Sequence, residues 1–90
     1  MPRKVPRPFK MHWGRGKVVE EVSFRAKYHE PALQLMEFED GSLCLRFCYY
    51  KKGRFQRSPL MLGSADLPKL AKALHGSPRL KRLLKKALAL

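Results

Sequence analysis

Residues 44–62 read CLRFCYYKKGRFQRSPLML, and the side chains able to do chemistry in this chain are densest there. Arg46, Tyr50, Lys51, Lys52, Arg54 and Arg57 all fall in this stretch, interleaved with Tyr49 and Phe55 and with no acid among them. Cations spaced in this way can follow a run of phosphates, and ring faces between them can stack on bases of any sequence. The pattern predicts recognition of a polyanion rather than turnover of a substrate. The competing reading is an ordinary amphipathic hairpin. In that case Tyr49 and Phe55 extend apolar strand faces, and the cations keep the other face wet.

Signatures of catalysis are missing from the rest of the sequence. His12, His29 and His75 lie in separate segments, with no paired histidine or acid at ligand spacing. No nucleophile elbow, phosphate-binding loop or dinucleotide fingerprint occurs. WGRGK, at 13–17, has two glycines but no strand–helix unit after it. Glu37, Glu39 and Asp40 read as a solvated strand end. The chain is therefore expected to be no enzyme and to use no metal, no cofactor and no small-molecule substrate.

Cys44 and Cys48 sit four apart in a predicted strand, about 13 Å from each other. A disulfide needs Cα atoms within roughly 7 Å, so these two cannot bridge within that strand. They read as reduced thiols of an intracellular protein.

The overall charge agrees with a polyanionic partner. Lys and Arg number 20 against 7 Asp and Glu, a formal net charge of +13 over 90 residues. Self-repulsion on that scale opposes compactness, and an anionic partner relieves it. Residues 1–17 carry no acid, while residues 18–40 hold six of the seven acids. No run of apolar residues is long enough for a membrane span, and the basic N-terminus lacks the apolar core of a secretory signal. The expected location is cytoplasmic, with the nucleoid, and membrane association is not expected.

These side chains must be positioned by one small domain. Residues 1–17, with three prolines, two glycines and six bases, predict a flexible basic arm. Phe9 and Trp13 within it could stack on bases or dock on the domain. From Val18 to Tyr28, apolar residues at even positions (Val18, Val22, Phe24, Ala26, Tyr28) predict a half-buried strand, interrupted by Glu20. ALQLMEFE, at 32–39, is a second strand, apolar on both sides, with Leu33 and Leu35 opposite Met36 and Phe38. A bulge or cover on both faces would explain it. Asp40-Gly41 is a hairpin turn signal. Leu43, Leu45, Phe47 and Tyr49 then alternate in a third strand and are assigned to the inside. KKG turns the chain into a fourth strand, where Pro59 requires an edge or a bulge.

The C-terminal segment is helical. Ser64 or Asp66 starts a helix bearing Leu67, Leu70, Ala71 and Leu74, Gly76 ends it, and Ser77-Pro78 starts another. The last helix has a stripe of Leu80, Leu83, Leu84, Ala87 and Leu88 beside Lys81, Arg82, Lys85 and Lys86. The predicted fold is α+β: a four-stranded antiparallel meander followed by one or two C-terminal helices, in a single domain over 18–90.

The order of these elements resembles the positive-cofactor-four type of transcriptional coactivator and its prokaryotic relatives. The likeness is densest in SLCLRFCYYKKGRFQRSPLMLGSADLPKLAKAL, residues 42–74, and covers about 18–75 with the first two strands included. It implies a dimer joined through its helices, with single-stranded DNA lying along the sheets without sequence readout. By position it implies phosphate contacts at Arg46, Lys51, Lys52, Arg54 and Arg57 and a base-stacking ring at Tyr50. Arg25 and Lys27, on the odd face of the first strand, are second-rank candidates. The expected function is binding of single-stranded DNA or RNA, as a homodimer, in transcription, replication or repair. Two alternatives stand beside it. One is a structured-RNA or ribosome-associated protein, the other a protein-interaction or membrane-surface module using the basic C-terminal helix.

Overall fold

The computed structural model describes residues 3–56 and 59–88. A single antiparallel sheet dominates it. Strand β1 spans Arg7–Met11, β2 Gly14–Ser23, β3 Glu30–Phe38 and β4 Leu43–Lys51, hydrogen-bonded side by side in chain order. β5 (Arg54–Phe55) and β6 (Leu60–Gly63) both pair with β4, β5 near its end and β6 nearer its start. They are two pieces of one edge strand, and Pro59 lies in the break between them, where its missing N–H costs no ladder bond. A 3₁₀ turn (Ser64–Asp66) leads into α1 (Leu67–Leu74), and α2 spans Pro78–Ala87. The α+β class and the meander agree with the sequence reading, with one strand more than expected.

The extra strand corrects that reading. Residues 7–11 and 14–17, assigned to a flexible arm, are a hairpin on the edge of the sheet, with Arg7 opposite Val18 and Lys10 opposite Arg15. Its prolines and glycines suggest a loop by composition, but they fit the edge. Pro8 is tolerated on an edge strand. Gly16 lies where a Cβ would collide with the carbonyl oxygen of Glu37 across the β2–β3 pair. Phe9 docks, packing with Val5 and Met11 against the buried cluster of Val18, Met36 and Cys44.

β2 is shorter than predicted and bulged. Val18 pairs with Met36 but Glu20 pairs with Leu35, so the register shifts between them. An extra residue turns the following side chains to the opposite face. Val18 is buried on one side of the sheet, and Val22, opposite Leu33, emerges on the other. Glu20, which broke the alternation, marks this bulge. β3 itself runs in unbroken register with β4.

The sheet curls so that Phe9 from one edge and Met61 from the other both reach the Val18–Met36–Cys44 cluster. Ala32, Cys48 and Tyr50 are buried further along the same inner face. The inside assignment for β4 is thereby inverted. Cys44, Cys48 and Tyr50 are the buried side chains, and Leu43, Phe47 and Tyr49 are exposed on the outer face. β1 and the chain before it supply the cover for the inner face, which no pattern within 18–90 could reveal. Both thiols are free, and burial pushes their pKa values up, away from reactivity.

Candidate nucleic-acid interface

The inner face carries a polar network at one end. The hydroxyl of Tyr50 donates to Glu21 Oε2 at 2.7 Å, and Gln34 Nε2 donates to the same oxygen at 2.7 Å. Arg46 Nε donates to Gln34 Oε1 at 2.6 Å, and Gln34 is fully buried. Arg7 Nη1 stands 2.9 Å from Glu21 Oε1, at ion-pair distance but without hydrogen-bond alignment. Burial alone would raise the pKa of Glu21. Arg7, Tyr50 and Gln34 outweigh it and hold the carboxyl below its ordinary range. Tyr50 is pushed up to about 12 by burial and by its bond to Glu21.

This geometry encloses Tyr50, the ring expected to stack on a base. Its side chain is only 5% exposed, the Arg3 guanidinium lies 3.2 Å from its ring centroid, and Phe55 meets it edge-on at 5.7 Å. A nucleobase has no free face there. Arg46 is likewise committed, to Gln34 and to the Phe55 ring 4.8 Å away. These two candidates build the fold at this end of the sheet.

The remaining candidates converge on the rim just above. Lys51, Lys52 and Arg54 are exposed on the β4–β5 hairpin. Lys52 (φ 52°) and Gly53 (φ 78°) are its two central residues, and positive φ at both matches the right-handed twist of the strands. Glycine accepts this conformation freely, whereas a lysine there is strained. The chain holds a cation at the tip despite that cost.

Arg25 and Lys27 come from the β2–β3 connection, which is tied by bonds from Ala26 N to His29 O and from Phe24 N to Pro31 O. Glu30 pairs with Tyr50 in the ladder, so this connection lies beside the β4–β5 turn. Arg25, Lys27, His29 and Lys52 line one open depression. Phe24 and Tyr28 are 66% and 75% exposed, and the Lys27 ammonium sits 5.2 Å from the Tyr28 ring. Arg57 lies outside the described residues.

Reading the sequence missed two groups. Arg3 and Arg7 were hidden in the supposed arm. Phe24 and Tyr28 were assigned to a buried strand face, although their alternation with Arg25 and Lys27 is the same basic-aromatic pattern that singled out the hairpin. Among the described residues no helix is long and apolar enough to cross a membrane. Comparison with family models, curated proteins and solved structures returned no match.

Proposed function

We propose that this chain binds single-stranded nucleic acid without sequence readout, as a homodimer, in transcription, replication or repair. One observation carries the reading. Arg25, Lys27, Lys51, Lys52 and Arg54 gather from two turns at one end of the sheet, all exposed and, among the described residues, none in an ion pair. Like charges crowded together repel, and a phosphate chain would neutralise them. Phe24 and Tyr28 add open ring faces of the kind that unpaired bases stack on. Phosphate contacts at these five cations, with base stacking on Phe24 and Tyr28, therefore replace the interface centred on Tyr50. The meander-then-helix order supports a likeness to the positive-cofactor-four type of coactivator, and the exposed outer sheet face supports the dimer.

The test is fluorescence anisotropy with labelled oligo-dT, duplex DNA of equal length and hairpin RNA, each across a salt series. Oligo-dT should bind most tightly, with log K falling against log salt at a slope of about −3 to −4 if five phosphates are neutralised. Replacing Lys51, Lys52 and Arg54 with Ala should flatten that slope by about 2. Preference for hairpin RNA or duplex over oligo-dT would sink the single-strand reading.

A further inference from the structure

The centre of the outer sheet face is apolar and uncovered, with charged residues at its margins. Val22, Leu33, Leu35, Leu45, Phe47, Leu60 and Leu62 share it by register, and Val22, Phe47 and Leu60 are exposed. The helices are equally incomplete. No residue of α1 or α2 is buried, and Leu80, Leu83 and Leu84 of α2, with Leu88 just after it, are exposed.

Two global quantities show how much surface is in excess. A compact monomer of this mass exposes roughly 5,400 Å², whereas this chain exposes 7706 Å². The radius of gyration is 14.4 Å, against about 12 Å for a compact chain of this length. The surplus, about 2,300 Å² per protomer, is of the order that obligate homodimers bury.

Charge says what fits. Glu21, Glu30, Glu39 and Asp66 have ion-pair partners, and Asp40 accepts from Ser42. Glu20 and Glu37 have none among the described residues, and by register both project from the outer face, Glu20 beside the apolar patch and Glu37 opposite Lys17. α2 offers Arg79, Lys81, Arg82, Lys85 and Lys86 around its leucines, with no acid.

We infer that the outer sheet face of each protomer is covered by the α1–α2 pair of a second copy, in a reciprocal exchange. The leucine stripe of one copy lies on Leu33, Leu35, Leu45, Phe47 and Leu60 of the other, and a cation beside the stripe meets Glu20. This rests on the homodimer in the reading above and names its two surfaces.

Complementation tests it. Leu60 and Leu83 are 59% and 64% exposed in the protomer, so a charge at either should leave the protomer folded. Light scattering should find the full chain dimeric and both Leu60→Asp and Leu83→Asp shifted towards monomer. Mixing the two variants should restore a dimeric fraction, because the intact helices of one meet the intact sheet of the other. Val22→Asp with Leu80→Asp should repeat the result.

Three outcomes overturn the inference. They are a monomeric full chain, including one that co-sediments with anionic phosphatidylserine vesicles; a Leu60→Asp variant as dimeric as wild type; and mixing that restores nothing. Circular dichroism of each variant checks its fold. Oligo-dT affinity, measured on the same samples, separates loss of this interface from failure of the nucleic-acid reading.

Discussion

The Arg3 guanidinium lies over Tyr50, its Cζ 3.2 Å from the ring centroid, while its Nη1 and Nη2 donate to the two oxygens of Glu30 at 2.9 and 3.1 Å. A residue near the start of the chain thus closes the inner face over the ring that the sequence alone offers to a nucleic acid. Cation–π contact and charge-assisted hydrogen bonds act on one side chain together.

Tyr50 is therefore expected to stabilise the protein rather than to stack on bases. Tyr50→Phe removes the donor to Glu21 Oε2 and leaves a buried carboxylate short of a partner. A loss of about 1–3 kcal/mol in urea unfolding is expected, with oligo-dT affinity unchanged. A large affinity loss without destabilisation would restore the stacking role.

Stability should respond to pH at both extremes. The hydrogen bond from Arg3, helped by Ser23, lowers Glu30 from 4.5 to about 2. A depressed carboxyl stabilises the fold above its unfolded value, so this contribution is complete above about pH 4.5 and is lost as pH falls towards 2. Tyr50 is raised from 10.0 to about 12, so its contribution is complete below pH 10 and is lost as pH rises through 12. Urea midpoints across pH would show both limbs. Arg3→Ala should return the Glu30 titration, followed by NMR, towards its ordinary range.

Lys52 should show stability and function moving in opposite directions. Asn tolerates the left-handed conformation better than Lys, so Lys52→Asn should stabilise the protein by up to about 1 kcal/mol. The same change removes one rim cation, and the salt slope for oligo-dT should flatten by about 0.7. Thermal melts and anisotropy on one sample would check both signs.

Gly16→Ala should detach the N-terminal hairpin. Its new Cβ would meet the Glu37 carbonyl oxygen and come within 2.7 Å of the Phe38 Cα, both backbone atoms that cannot swing aside. Overpacking of this kind costs about 1–3 kcal/mol. Hydrogen exchange should quicken in β1 before the centre of β3.

What could be read from residues alone was local. Alternation, Asp40-Gly41, Lys52-Gly53 and Ser77-Pro78 were enough to place the central strands, two turns and the start of α2, because turn geometry and capping act over a few residues. Lys51, Lys52 and Arg54 were equally visible as charges without acids beside them, whereas Arg25 and Lys27 stand among the acids of 18–40 and were brought to the same rim by the fold. Which face each strand presents was decided only by tertiary structure. One bulge after Val18 reversed Val22, and the N-terminal segment covered Cys44 and Tyr50 while Leu43, Phe47 and Tyr49 stayed exposed. A strand apolar on both sides has no preferred face of its own. The partner that buries it comes from elsewhere in the chain, here from β1 and from Arg3 on the ring of Tyr50.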